Sequence, residues 1–174
     1  MMRFANTTRS TVLSAVLIAS LVLYSGCPYS FTGASVPKHL KTIAIPLVDD
    51  QSGFGEAGLR ERFTTELTNL FISDNSLQVT DRTTADSILE GAIVTVSDAP
   101  SVVTQGEAVA KRRITITVKC AYQDKVQRKR IWEKTFSQWG DYDSGGGLSQ
   151  RDAGLREAIK KVTEDILLET VSGW

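Results

Sequence analysis

The sequence is poor in the residues that most often act in catalysis and metal binding, because its 174 residues include one histidine and two cysteines. A serine or cysteine hydrolase needs a base beside its nucleophile, and that base is usually a histidine. The single histidine, His39, precedes the first predicted strand, where we expect it to be solvated. A structural zinc site needs clustered cysteine and histidine ligands, and this chain has too few of them. We therefore expect no metal, no cofactor and no enzymatic activity.

Glycine-rich nucleotide-binding motifs are also missing. The triplet Gly145–Gly147 does not connect a strand to a phosphate-binding helix with the required spacing, so we interpret it as a hinge or surface loop. The acidic pairs Asp49-Asp50 and Asp141/Asp143 lack the ligand spacing of a calcium loop and are predicted to lie in turns. The 20 basic residues balance the 20 acidic ones. This balance argues against bulk attraction to nucleic acid or to an anionic membrane and leaves only local patches.

The N-terminus has the pattern of a secretory signal. Two arginines precede the apolar run Val12–Tyr24, which ends at two small residues. At 13 residues the run is shorter than the roughly 20 that a membrane-spanning helix needs. Cys27 follows directly, so we predict a signal peptide over residues 1–26 and acylation of Cys27, with fatty acids such as palmitate. Tyr24 departs from the leucine that is usual three residues before such a cysteine, and the alternative is an ordinary secretory signal with an incidental cysteine.

The mature chain is predicted to be one anchored domain. Residues 27–40 are rich in proline, glycine and small polar residues, which indicates a lipidated tether. Residues 41–174 are enough for a single domain with a buried core. If Cys27 carries lipid, Cys120 is the only thiol left and no disulfide can form within the chain. Cys120 lies on the core-facing side of a predicted strand, which favours a buried, unreactive thiol.

The first part of the domain is predicted to be a strand, a helix and a short strand. Thr42–Val48 has a strand composition, with Pro46 indicating an edge position or a bulge, and a turn follows at residues 49–53. The helix is predicted from Glu56 to Ser73 and the second strand over Leu77–Asp81, parallel to the first with a right-handed crossover. The helix prediction rests on apolar residues at helical spacing, namely Leu59, Phe63, Leu67, Leu70 and Phe71.

Three longer strands are predicted next, paired as an antiparallel meander. Ser87–Ser97 is rich in β-branched residues, and Gly91 suggests a bulge or a close backbone approach. Arg113–Tyr122 alternates between apolar residues at even positions and mainly polar residues at odd positions, so it should have one buried and one wet face. A turn over residues 125–130 leads to the third strand, Ile131–Phe136.

A second helix is predicted from Ser149 to about Thr170. Ser149 and Asp152 resemble a capping box in which aspartate replaces glutamate. The apolar stripe consists of Leu155, Ala158, Ile159, Val162 and Ile166. Both helices can bury their stripes only against one face of the sheet. The predicted fold class is therefore α+β, a two-layer sandwich in which two helices pack on one face of a mixed four- to five-stranded sheet.

Two basic clusters are the candidate contact residues. They lie at opposite ends of the longest predicted strand and consist of Lys111, Arg112 and Arg113, and of Lys125, Arg128, Lys129 and Arg130. One interpretation is a solvated rim whose charges resist edge pairing of the sheet. The functional interpretation is binding of phosphate groups on an anionic glycolipid, since arginine and lysine bind such groups strongly.

Several short stretches recur in a familiar order and spacing across almost the whole mature chain. They are Cys27–Ser35, Lys41–Pro46, Leu77–Arg82, Leu89–Ile93, Arg113–Val118, Phe136-Ser137 and Asp141–Asp143. Together they resemble the LptE family of lipopolysaccharide-assembly lipoproteins, in the form found in Bacteroidetes and Chlorobi. The resemblance implies a sheet with two helices in an outer-membrane lipoprotein that faces the periplasm. It also implies that the protein assembles with and plugs an LptD-like β-barrel and aids the insertion of lipopolysaccharide, so the two basic clusters are candidate contacts either to lipopolysaccharide or to the barrel.

One competing function stays open at this point. A lipoprotein that regulates or activates an envelope enzyme or a secretion pore also begins with a strand, a helix and a short strand. A barrel plug should co-purify with a very large β-barrel, whereas a regulator should co-purify with a synthase or with a pore of small subunits.

Overall fold

The structure, a computed structural model, describes residues 36–102 and 111–172. The predicted signal peptide, Cys27 and most of the predicted tether lie outside the described residues. A 3-10 turn at Ser144–Gly146 precedes the last helix. The strands and helices in chain order are β1 Thr42–Ala44, β2 Asp49–Asp50, α1 Leu59–Asp74, β3 Gln78–Val79, β4 Ser87–Val102, β5 Lys111–Asp124, β6 Lys129–Asp143 and α2 Gly147–Ser172.

The six strands form one mixed sheet in the order β3-β1-β4-β5-β6, with β2 also paired to β4. β1 pairs in parallel with both β3 and β4, whereas β4, β5 and β6 form an antiparallel meander. α1 and α2 bury their apolar stripes against the same core. This arrangement confirms the predicted α+β fold with two helices against a mixed sheet.

The first predicted strand is broken in two. β1 ends at Ala44, Pro46 lies in the break, and the residues Asp49-Asp50, which we predicted to be a turn, form β2 on Ala92 and Ile93. β1 lies inside the sheet between β3 and β4, so the edge position suggested by Pro46 is wrong. Proline has no backbone N–H to donate to a neighbouring strand. Because the strand is interrupted at Pro46, no such hydrogen bond is required there.

β6 is much longer than the predicted strand Ile131–Phe136. It extends to Asp143, so Asp141 and Asp143 are strand residues and not turn residues. The extension pairs along its whole length with β5, as in the pairing of Ile114 with Gly140. Residues in this extension are mostly not aliphatic, which is why alternation of apolar residues did not reveal it.

The start of α2 also differs from the prediction. The helix begins at Gly147, and Ser149 donates its hydroxyl hydrogen to the carbonyl oxygen of Gly146 instead of capping the helix. Asp152 binds Arg62 and Arg156. The predicted capping box is therefore absent, because its acidic residue is used to hold α1.

The bulge in β4 is displaced from the predicted position. The register with β5 shifts at Val94, between Ile93 and Thr95. Gly91 instead sits where a Cβ atom would lie 3.4 Å from the Cys120 sulfur and 3.4 Å from a methyl group of Val48. These neighbours are side-chain atoms at van der Waals distance, so neither a bulge nor a close backbone approach is found at Gly91.

β5 follows the predicted alternation. Its inward residues Ile114, Ile116, Val118, Cys120 and Tyr122 are all buried, with 0–1 % exposure. The odd residues between them face away from the helices and are half-buried or exposed. β5 therefore has one face buried against the helices and one face turned away from them.

α2 crosses β6 at unusually short range, through Gly140 of the strand and Gly154 of the helix. A Cβ atom added to Gly140 would lie 2.0 Å from the carbonyl oxygen of Gly154. A Cβ added to Gly154 would lie 3.2 Å from the ring of Tyr142. Two glycines thus allow helix and strand backbones to touch.

Candidate functional site

The sheet face that points away from the helices carries rows of hydroxyl groups. Thr95, Thr117 and Ser137 lie side by side on β4, β5 and β6, and the Thr117 and Ser137 hydroxyls are 2.9 Å apart. The neighbouring rows add further hydroxyls. We call this surface the hydroxyl face, which consists of Thr95, Ser97, Thr115, Thr117, Thr135 and Ser137. All six side chains are half-buried or exposed, and all project from three long paired strands, so the surface is polar and held in a fixed geometry.

Two cross-strand ion pairs border the hydroxyl face. Arg113 binds both carboxylate oxygens of Asp141 at 2.7 and 2.9 Å, and these hydrogen bonds lower the pKa of Asp141. At the other border, Lys119 lies 2.6 Å from Glu133 and lowers the pKa of that carboxyl group. The borders are therefore charged but internally neutralised.

An aromatic side chain stands at the Arg113 border. Trp139 is 42 % exposed, and the guanidinium carbon of Arg113 lies 4.9 Å from the centre of its ring. Lys161 of α2 donates to the backbone carbonyl of Trp139 at 3.1 Å. The outer edge of β6 is thus partly occupied by a lysine, a common protection of an edge strand.

The first basic cluster is split between the two faces of the sheet. Arg112 points to the helix side, where it donates to Asp98 at 2.9 Å and to the hydroxyl of Tyr142 at 3.0 Å. Arg113 points to the hydroxyl face. The hydrogen bond with Asp98 raises the pKa of Arg112. Both arginines are therefore already paired with carboxylates, and Lys111 is the member that forms no ion pair within the described residues.

Asp98 is the centre of a charge network that sequence patterns did not reveal. Its carboxylate accepts from Arg112, from the Tyr142 hydroxyl at 2.8 and 2.9 Å, and from Arg151 of α2 at 3.3 Å. Arg151 also donates a hydrogen bond to a carboxylate oxygen of Glu56 at 2.9 Å. Arg62 forms ion pairs with both Glu56 and Asp152. Burial and the contact with Asp98 raise the pKa of Tyr142. The network fastens the starts of both helices to one end of the sheet.

The second basic cluster surrounds the β5–β6 turn at the opposite end of the sheet. Lys125 donates its ammonium group to the backbone carbonyl of Arg82, and Arg130 pairs with Glu133. Arg128 and Lys129 are exposed and form no ion pair within the described residues. The structure therefore does not bring the two basic clusters together, in agreement with their predicted separation.

His39 is exposed to solvent, as expected, but it also contacts a carboxylate that the sequence did not indicate. Its Nε2 atom lies 2.6 Å from a carboxylate oxygen of Asp124, whose side chain is 5 % exposed. Burial alone would raise the pKa of Asp124, but the hydrogen bonds from the backbone of Gln127 and from His39 lower it. The contact joins residues 36–41 to the β5–β6 turn, and neighbouring Leu40 is part of the core.

The described residues offer little for catalysis or metal chemistry. Cys120 is 1 % exposed, and burial raises the pKa of its thiol to about 12, so the thiolate form is rare at neutral pH, as predicted. Within residues 36–102 and 111–172 no cluster of three or more histidine, cysteine or acidic side chains has a metal-binding arrangement. In the same ranges, each helix is too short or too polar to span a membrane.

A groove of about 640 Å³ runs between α1 and α2. Charged residues of both signs line it, with Arg62, Arg156 and Lys160 facing Glu61, Glu66 and Glu157. The groove therefore carries no positive excess that would favour an anionic ligand.

The chain matches a known family. A model of the LptE family, described as lipopolysaccharide-assembly, matches residues 40–170. A sequence search against curated proteins gives no match.

Solved structures share the fold at low sequence identity. The hypothetical protein CT253 from Chlamydia trachomatis has a TM-score of 0.55 at 10 % identity, covering 75 % of this chain and 95 % of that one. A single-substitution variant of the PelC dodecamer from Paraburkholderia phytofirmans has a TM-score of 0.53 at 13 % identity, covering 80 % and 95 %. The rare lipoprotein B from Shewanella oneidensis has a TM-score of 0.50 at 14 % identity, covering 74 % and 92 %. These similarities establish the fold alone.

Proposed function

Because the chain belongs to the LptE family of lipopolysaccharide-assembly lipoproteins, we propose that it assembles with and plugs an LptD-like outer-membrane β-barrel and aids insertion of lipopolysaccharide at the cell surface. Acylation of Cys27 would hold it in the outer membrane with its domain on the periplasmic side. Proteins of this family have no catalytic activity, in keeping with the inert thiol and the paired histidine of this chain.

The hydroxyl face is the observation that best supports a plug. The interior of such a barrel is polar, so a surface that packs against it must supply hydrogen-bonding groups in fixed positions. Threonine and serine hydroxyls both donate and accept, and burying them costs little when they find partners. The neutralised borders add no uncompensated charge to such a contact. We therefore propose that the hydroxyl face contacts the barrel wall while α1 and α2 face the other way.

Contact with lipopolysaccharide is a narrower part of the proposal. Of the seven candidate residues, Arg112, Arg113 and Arg130 already hold carboxylates, and Lys125 holds a carbonyl oxygen. A new phosphate would have to replace those partners. Lys111, Arg128 and Lys129 form no ion pair within the described residues and are therefore the best remaining candidates for phosphate groups of the glycolipid.

Site-specific photo-crosslinking tests which face meets the barrel. A photoreactive residue at Ser137 should crosslink the lipoprotein to a very large β-barrel in outer membranes, because Ser137 lies in the central hydroxyl row. Glu164 is the matched control, since it is also exposed but lies on α2. Mass spectrometry of the crosslinked product identifies the partner. Crosslinking to the barrel from Glu164 but not from Ser137 would show that the opposite face makes the contact.

Depletion of the protein tests the role itself. We expect less correctly folded barrel and an outer membrane that admits large hydrophobic antibiotics, because a barrel without its plug assembles poorly and leaks. The measurements are the amount of folded barrel and the antibiotic sensitivity of depleted cells. Unchanged barrel and permeability, together with lost activity of a peptidoglycan synthase, would favour an envelope-enzyme regulator instead.

A further inference from the structure

The end of the domain where the described residues begin carries a cluster of exposed cations. His39 binds Asp124, and this contact holds residues 36–41 beside the β5–β6 turn. Lys38 and Lys41, which flank His39 in this segment, therefore lie beside the cations of the turn. We call this surface the tether patch, which consists of Lys38, Lys41, Lys125, Val126, Arg128 and Lys129. All except Lys125 are exposed, and Lys125 is half-buried.

The two acids that contact residues 39–42, Asp86 and Asp124, are held by hydrogen bonds within the protein. Asp86 accepts hydrogen bonds from the backbone N–H groups of Lys41 and Thr42 at 3.0 and 3.1 Å, and the first of these is the main reason that its pKa is lowered. Asp124 is 5 % exposed and holds His39. Asp74 and Asp81 are exposed at this end of the domain, but the five cations of the patch outnumber them. The outward charge of the patch is therefore positive.

The tip of the turn combines two features that the fold itself does not require. Val126 is 60 % exposed, an apolar side chain among cations. Arg128 has a φ of 54°, a left-handed conformation that glycine or asparagine adopts at lower cost. An apolar tip flanked by lysine and arginine suits the boundary between lipid headgroups and acyl chains.

The length of the tether places this end close to a membrane. Val36, the first described residue, follows Cys27 by nine residues, which span at most about 30 Å when fully extended. β6 alone is about 50 Å long at the usual rise per residue, so the opposite end of the sheet lies that much farther along the strand from the point where the tether enters. Resting on the proposed acylation of Cys27, we infer that the tether patch docks on the anionic phospholipid surface of the membrane that holds the anchor, and so orients the domain.

Vesicle flotation of the unacylated protein tests this inference. The full mature chain with Cys27→Ser has no acyl anchor, so any binding must come from the domain. We expect it to float with vesicles of phosphatidylglycerol and phosphatidylcholine at low salt, but not with phosphatidylcholine alone. Adding Arg128→Gly and Lys129→Gln should weaken binding about 25-fold, because each cation near an anionic surface contributes about fivefold. High salt should abolish the difference.

The matched control removes the same charge from another surface. Arg156→Gln with Lys160→Gln takes two exposed cations from α2 and should bind as well as the parent. Thermal melts check that all variants fold, and Arg128→Gly relieves a left-handed arginine, so it should not lower the melting temperature. Equal loss in the control pair, equal flotation with neutral vesicles, or flotation only when the vesicles contain lipopolysaccharide would overturn the inference. The flotation assay contains no barrel. Such a result would therefore not bear on the proposed plug, which the crosslinking experiment tests separately.

Discussion

Replacing Ile116 with alanine is expected to lower the free energy of unfolding by about 2–5 kcal/mol, the range for removing a large aliphatic side chain from a packed core. Ile116 is fully buried at the centre of β5, between Ile114 and Val118 on the same face. The cost combines lost burial with a cavity that the two flanking strands cannot fill, because β4 and β6 hold β5 on both sides. Urea or thermal unfolding of the purified domain measures it.

Thr117→Ala is the control for this prediction, one residue further along the same strand. Thr117 faces the other way and pairs its hydroxyl with Ser137. Its replacement should cost about 1 kcal/mol, through one partly exposed hydrogen bond and a lower strand propensity. Similar losses from both variants would contradict the opposite facing of the two residues. Since whole domains are stable by only about 5–15 kcal/mol, the Ile116 variant should also accumulate in cells in reduced amounts.

The second large effect is expected for Gly140→Ala, although alanine adds only one methyl group. That methyl would lie 2.0 Å from the carbonyl oxygen of Gly154 and 2.8 Å from its carbonyl carbon. Backbone atoms of a 26-residue helix cannot rotate aside as a side chain does, so α2 or β6 must move. We expect a loss at or above the upper end of the roughly 1–3 kcal/mol typical of overpacked cores.

Gly145→Ala separates this steric effect from a general effect of replacing glycine. A Cβ at Gly145 meets no atom within 4 Å, and the residue does not have a positive φ. Alanine there should leave stability unchanged or raise it slightly, because it restricts the unfolded chain. If Gly140→Ala proved as well tolerated as Gly145→Ala in thermal melts, the close crossing of α2 over β6 would be disproved.

The parts of the fold that sequence predicts well are those with a regular local period. The alternation along β5 and the stripe of α1 each repeat over many residues, and both correctly gave the buried side. The two-layer arrangement then follows, because both helical stripes need the same apolar sheet face.

The missed parts depend on contacts between distant residues. The extension of β6 carries Gln138, Gly140 and Asp141, whose roles are set by Asp165, Gly154 and Arg113 on other elements. No local pattern encodes those partners. β2 is likewise only two residues long and is defined by its pairing with β4.

In the candidate site, too, the features with a local sequence period were predicted and those set by distant contacts were missed. The wet face of β5 was predictable from its odd residues, but the hydroxyl row also needs Thr95 and Ser137, which only strand register brings beside Thr117. The basic clusters in the sequence correctly located the cations, but they did not indicate which carboxylates would pair with them. Asp98 neutralises Arg112, and Asp141 neutralises Arg113, so the first cluster offers less free charge than its sequence suggests.

The position of β1 also has a consequence for the order of folding. β4, β5 and β6 pair with their neighbours in the chain, whereas Ile43 of β1 pairs with Ser87 of β4, across the whole of α1 and β3. Closing longer loops costs more entropy, and contacts between distant residues form more slowly. The meander and α2 can therefore condense as a nucleus from the C-terminal half, and β1 then joins β4 and provides the edge on which β3 pairs. The first strand of the chain and its edge partner β3 are thus expected to be the last to join.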